Sequence, residues 1–219
     1  MLISHELRTP LTTILSFTES YLRGLAETAS EKENFVRRIQ EGATRLKELV
    51  DETIDLVEAQ AGKLKIQKIK TDLSSLVQEA ILAIHEKAVE KKITLENSIK
   101  DLFCHVDPGL MKKNFLKLLD YAITAGDEKS HIWLTGRMGH KKKKSNIIIT
   151  LTYAGKPLTA AQKKRIFEPF LVVGDILTHK MGSGLGLPIC KSIIDAHHGE
   201  ISVTASKTKT TRFQIILPS

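Results

Sequence analysis

Cysteine is nearly absent from this chain. Cys104 and Cys190 stand far apart with no CxxC spacing, which excludes a disulfide framework and a cysteine-built zinc site and suits a reducing cytoplasm. No run approaches the ~18 apolar residues that a membrane-spanning helix needs, and no signal peptide precedes the first periodic segment. Aromatic residues make up only 5%, too few to interleave with basic ones as a nucleic-acid surface would, although the net charge is +8. Much of that excess is local, in Lys141 to Lys144, a run that reads as a solvated hairpin loop. His131, His140, His179 and the pair His197 and His198 lack the spacing of metal ligands, so no metal site built from them is expected. What is present, 42% hydrophobic and 26% charged residues over 219 positions, suffices for one or two domains with a real core.

The first periodic segment carries the clearest chemistry. Leu7, Leu11, Ile14, Thr18, Tyr21, Leu22 and Leu25 recur at spacings of three and four, the signature of an amphipathic helix. At about 100° per residue, His5 lies roughly 180–240° around the wheel from Leu7, Leu11 and Ile14, so it faces solvent. Glu6 follows it and Thr9 stands one turn on, bringing an imidazole, a carboxylate and a hydroxyl to one exposed patch. Imidazole is a good nucleophile, and a neighbouring carboxylate can fix its tautomer so that the other ring nitrogen keeps a free lone pair. Such a patch suits the acceptance and release of a phosphoryl group. A second periodic segment, Glu33 to Ala59, tracks Phe35, Ile39, Ala43, Leu46, Val50, Thr53 and Val57, with a polar break at Thr28 to Lys32 joining the two as a hairpin. Two helices cannot bury stripes this wide on each other alone, so a second copy is expected to complete a homodimeric four-helix bundle.

Gly62 ends that pattern. Leu64, Ile66 and Ile69 alternate with polar residues as a strand should, and Asp72 stands as N-cap before a helix ending near Lys92. Strands at 93–99 and 103–106, an Asp107-capped helix at 110–125, strands at 131–138 and 146–152, a helix at 187–196 and a closing hairpin at 200–205 and 212–217 follow. The expected fold is α+β: a helical hairpin over 1–61, then over 62–219 an α/β sandwich with helices on one face of a mixed sheet. Within the second part, Gly182-Ser183-Gly184-Leu185-Gly186-Leu187 opens a helix; its glycines let backbone N–H groups approach an anion, and the helix dipole points to the same place.

Two groups of motifs carry a resemblance that covers nearly the whole chain. The nine residues Ser4-His5-Glu6-Leu7-Arg8-Thr9-Pro10-Leu11-Thr12 resemble the phosphoacceptor segment of sensor histidine kinases. Ile166 to Phe170, Gly182 to Leu187, His197 to Ile201 and Phe213 to Pro218 look like the phenylalanine-containing segment, second glycine box and terminal hairpin of that family's ATPase domain. The resemblance implies His5 as phosphoacceptor, Glu6 as the group that orients it, and Thr9 as a residue that orients water for dephosphorylating a response regulator. It implies ATP bound at Gly155, in the first glycine box, and at Gly182, Gly184, Leu185, Gly186 and Leu187, where the phosphates rest, with Thr178, His179 and Lys180 in the lid over them. It also implies a receiver domain as partner, and an input region upstream of Met1 or on a partner kinase.

The middle departs from the family. Tyr153 falls where an aspartate accepts the adenine amino group, and Pro157 where a second glycine of the first box belongs; Lys117 and Tyr121 replace the two asparagines of the magnesium-binding helix. A phenol is a poor ligand for Mg²⁺, and losing a charge-assisted bond costs roughly 1.5–3 kcal/mol. Three functions stay open: an active kinase core that charges His5 from ATP, a phosphotransfer dimer or regulator phosphatase with little or no ATP binding, and a non-catalytic heterodimerising scaffold.

Overall fold

A computed structural model describes residues 2–141, 144–171, 183–206 and 209–219. The chain separates into two compact units, Met1–Asp55 and Leu56–Ser219. The first is built from α1 (Leu2–Leu22) and most of α2 (Ala29–Gln60), whose last turn belongs to the second unit. Thr28 starts α2 by a reciprocal cap: its hydroxyl accepts from the Glu31 N–H at 3.2 Å, and the Glu31 carboxylate accepts from the N–H groups of Thr28 and Glu27 at 2.9 and 3.0 Å. The Thr28 backbone bond is the main cause that holds the Glu31 carboxyl below its usual range. The stretch Thr28 to Lys32, expected as a connector, is therefore where the second helix begins.

Leu7, Pro10, Ile14 and Phe17 of α1 are buried or half-buried, as are Phe35, Ile39, Gly42, Leu46 and Leu49 of α2. The rings of Phe17 and Phe35 meet edge-on at 5.3 Å. Gly42 sets the depth of the crossing, because a Cβ there would stand 2.9 Å from Ile14 Cγ1 and 3.1 Å from the Pro10 carbonyl. Of the stripes expected from the sequence, the hairpin itself covers only part. Leu11, Tyr21, Leu22 and Leu25 of the first line, and Ala43, Val50 and Val57 of the second, are exposed in the single chain. Steps of three and four straddle two adjacent helix faces; the hairpin partner covers one face and leaves the other bare.

In the second unit β1 (Ile69–Asp72) pairs antiparallel with β3 (Phe103–Val106), while a five-stranded mixed sheet runs in the order β2-β4-β5-β7-β6. Its strands are β2 (Thr94–Asn97), β4 (His131–Lys141), β5 (Lys144–Ala154), β6 (Glu200–Ala205) and β7 (Thr210–Pro218), with only β2 and β4 parallel among these pairs. Strand alternation is plain in β7, where Thr211, Phe213, Ile215 and Leu217 are buried and Arg212 is exposed. The inward residues meet α3 (Leu73–Glu90), α4 (Pro108–Ala125) and α6 (Gly186–Ala196), whose Val77, Phe115, Leu119, Cys190 and Ile194 complete one core. The α+β architecture is as expected. Two details are not: the strand expected from Leu64 begins only at Ile69, where Val106 supplies a ladder partner, and α5 (Ala160–Arg165) appears behind a Thr159/Gln162 capping box. Of the lysine run, Lys142 and Lys143 lie outside the described residues.

Asp107 and His197 lock α4 to α6. The Asp107 carboxylate accepts from the N–H groups of Leu110 and Gln67, while its own N–H donates to His197 Nε2 at 2.9 Å; His197 Nδ1 lies 2.8 Å from the Ile193 carbonyl. Only a neutral imidazole can accept at one nitrogen and donate at the other. Burial pushes the His197 pKa down, as do Lys68 and His198, against the pull of the Ile193 bond and of Asp107. Burial also opposes ionisation of Asp107, but the amides of Leu110, Gln67 and Gly109, with His197, hold its carboxyl below the usual range.

The sign for His197 follows from its lowered folded value. Above 6.5, the ordinary value, neither state binds the proton; as pH falls below it, the unfolded chain takes the proton first and stability drops until the folded value is passed. His197→Gln is expected to cost about 2–4 kcal/mol by leaving one or both of the Asp107 N–H and the Ile193 carbonyl poorly met. In melts recorded at pH 7.5 and 5.5, the variant should start lower and lose part of the wild-type pH difference.

Candidate functional site

The first candidate site lies on the first turns of α1. The His5 side chain is 73% exposed and Glu6 Oε1 stands 3.9 Å from its Nδ1, an electrostatic approach rather than a hydrogen bond. Thr9 is exposed and its hydroxyl donates to the His5 carbonyl at 3.2 Å. Pro10 is buried beneath them and has no N–H to donate to the Glu6 carbonyl. The three residues read from the sequence therefore share one accessible patch, with Nδ1 facing the carboxylate and Nε2 the nitrogen turned away from it. A phosphoryl group on Nε2 would be reachable from solvent.

The second candidate site surrounds the start of α6. Gly184 takes φ +69°, and a Cβ there would stand 2.9 Å from Phe170 Cα; its carbonyl accepts from the Phe170 N–H at 3.0 Å. Leu185 is fully buried, with its N–H donating to the Ser183 hydroxyl at 3.2 Å. Gly186 opens the helix beside α4, since a Cβ on it would lie 3.6 Å from Lys117 Cδ, and Leu187 is buried. Gly182 lies outside the described residues, as do Thr178, His179 and Lys180. Gly155 sits apart from this turn, bridged to Gly126; its N–H donates to the Lys209 carbonyl at 2.8 Å, and a Cβ would come within 2.5 Å of the Ala125 carbonyl. That glycine is required for a close approach of two backbones.

One turn along α4 from Lys117, Tyr121 enters a cluster of rings. It meets Tyr153 of β5 at 6.4 Å and Phe213 of β7 at 5.6 Å, both edge-on; Tyr153 stacks on Phe213 at 6.4 Å, and Phe167 meets Phe213 edge-on at 6.3 Å. Tyr153 is 1% exposed. The Tyr121 and Tyr153 phenols influence each other's ionisation and the Thr211 hydroxyl that of Tyr153, but none of the three reaches hydrogen-bonding geometry. Burial is the main cause that raises both phenols, Tyr153 to about 12 and Tyr121 further still, so both are neutral. The sequence pointed to the two tyrosines but not to Phe213 and Thr211, which the inward phase of β7 places against them.

Comparison with known proteins matches residues 2–62 to the His Kinase A (phospho-acceptor) domain and residues 106–219 to the histidine kinase-, DNA gyrase B- and HSP90-like ATPase family. The alginate biosynthesis sensor protein KinB of Pseudomonas aeruginosa is 29% identical over 98% of this chain, which covers 36% of KinB. The chain spans less than half the length of the curated relatives it matches first. Among solved structures, the Acinetobacter baumannii histidine kinase AdeS superposes with a TM-score of 0.78 at 20% identity, covering 98% of this chain and 97% of that one. Histidine kinase ThkA, solved in complex with response regulator protein TrrA, superposes with a TM-score of 0.75 at 22% identity over 99% of this chain and 59% of that one. At those identities the superpositions speak to the fold alone. Among the described residues no helix is long and apolar enough to cross a membrane. With both domain models matched in order along one chain, this protein belongs to the sensor histidine kinases, as a phospho-acceptor hairpin joined to the family's ATPase fold.

Proposed function

We propose that the chain works as a phosphotransfer module of a two-component system, in which His5 exchanges a phosphoryl group with an aspartate on a response-regulator receiver domain. The observation that carries this reading is the exposed His5 imidazole with a carboxylate beside Nδ1. The Nε2 lone pair attacks the phosphorus of the aspartyl phosphate in line; the P–N bond forms as the acyl P–O bond breaks, and the aspartate leaves as a carboxylate. The ring gains positive character, which the Glu6 carboxylate at 3.9 Å stabilises. The reverse transfer charges the regulator.

Thr9 supports a second outcome at the same patch. Its proton is directed to the His5 carbonyl, so its oxygen is oriented to accept from a water that attacks the aspartyl phosphate, giving inorganic phosphate and a discharged regulator. The solved complex of ThkA with TrrA supports a receiver as the partner class. A homodimer assembled through the bare apolar faces of α1 and α2 presents two such patches, and a cytoplasmic setting suits the two buried thiols, neither in a disulfide. Any sensor region that governs the module is supplied by sequence or partners outside these residues.

The test is transfer from a receiver charged with radiolabelled acetyl phosphate to the purified chain. Label that appears on the chain in an acid-labile, base-stable form supports the reading. A receiver that keeps its label, losing it no faster than it does alone, while still binding the chain, sinks the reading in favour of a non-catalytic scaffold.

A further inference from the structure

The ATPase family of residues 106–219 implies ATP and its magnesium ion, and the residues present do not fit them. Two observations agree. The polar groups that α4, β5 and β7 bring together in the ring cluster are the hydroxyls of Tyr121, Tyr153 and Thr211, with no carboxylate among them; burial keeps both phenols neutral, so they offer a hard cation no anionic oxygen. Two of the expected backbone donors are also engaged: the Gly155 N–H goes to the Lys209 carbonyl and the Leu185 N–H to the Ser183 hydroxyl.

We infer that Tyr121, Tyr153, Phe167 and Phe213 fill the interior of this domain in place of a nucleotide, so that it holds its fold without ATP or Mg²⁺. The rings touch in an unbroken chain, Tyr121 to Tyr153 to Phe213 to Phe167, mostly in the edge-on arrangements that aromatic pairs favour. Tyr153 and Phe213 are each 1% exposed, which leaves no opening at that point for a purine. The filling role rests on the rings: Tyr121 and Tyr153 are held by packing on each other and on Phe213, with no polar partner on either hydroxyl. The chemistry of His5 is independent of this inference, because an aspartyl phosphate already carries an activated phosphoryl group.

The experiment uses the intact chain and two readouts. Calorimetric titration with ATP plus Mg²⁺, and with ADP plus Mg²⁺, is expected to give no saturable heat up to millimolar nucleotide, and the melting temperature should be the same with nucleotide, without it and with EDTA. Saturable, magnesium-dependent binding, or label from γ-labelled ATP on His5, overturns the inference. Tyr121→Phe and Tyr153→Phe keep the rings and delete only the unpartnered hydroxyls, so each should leave the melting temperature unchanged or raise it by about 1–3 °C. A fall of more than about 5 °C in either would mean that the hydroxyls hold a partner, and would overturn the filling role as well.

Discussion

His5→Ala is expected to abolish transfer from a charged receiver, leaving label at the level of a blank reaction, because the atom that forms the P–N bond is gone and no neighbour can replace it. Glu6 and Thr9 flank the site, but a carboxylate at Glu6 would form an acyl phosphate no more stable than the donor, and the Thr9 hydroxyl proton is directed to the His5 carbonyl. The substitution should not disturb the hairpin. His5 is 73% exposed, and alanine is the better helix former, so helicity and melting should match the parent within error. Glu6→Gln removes the charge and keeps the size. Transfer is then expected to fall about ten- to a hundredfold, at or below the lower end of what a positioned acid or base supplies, since the pair is partly screened by water. Acid-labile label persisting on His5→Ala would move the acceptor elsewhere. An unchanged rate in Glu6→Gln would leave the histidine in place and remove the carboxylate from the mechanism.

Much of this molecule is legible from its residues, and the failures share a cause. His5 could be placed toward solvent because a helix fixes the angle between neighbours and the apolar residues mark the opposite side; the same arithmetic could not say which apolar residues the hairpin itself covers, and Leu11 and Val50 stay exposed in the single chain. Asp72 and Asp107 announced their helices because an N-cap is a local device, and both accept the expected amide bonds. The strand at Leu64 failed for the opposite reason. Alternation is local, but a strand exists only where a partner offers a ladder, and the partner of β1 begins opposite Ile69. In the second site, Tyr121 and Tyr153 stood out as single departures, yet that they close on Phe213 and Phe167 depends on strand register, which no single segment carries. Gly155 is a similar case: its amide goes to the Lys209 carbonyl and its missing Cβ makes room for the Ala125 carbonyl, contacts with distant segments that its place in a glycine box does not announce.

Leu15→Glu and Ile54→Lys, made separately, are each expected to turn the proposed dimer into a monomer at micromolar concentration. Leu11, Leu15 and Leu22 on α1, with Val36, Val50 and Ile54 on α2, are between 43% and 79% exposed in the single chain, whereas Ile14, Phe17 and Leu49 beside them face the hairpin partner. Two rows of apolar residues on adjacent helices, each following the three-and-four spacing, form the kind of face that a second helical pair covers. Burying a Leu or Ile side chain contributes about 1.5–3 kcal/mol. In a two-fold dimer each substitution is present twice, so one change removes about 3–6 kcal/mol, or roughly two to four orders of magnitude in dissociation constant. A charge placed in that face adds its own desolvation cost. Sedimentation velocity across a concentration series reads the shift directly, and the melting of the second unit serves as the folding control. If both variants remain dimeric, the copies associate through some other surface and the bare stripe needs a different occupant; if the unaltered chain is already monomeric, the patch around His5 must work singly and the bundle proposal fails.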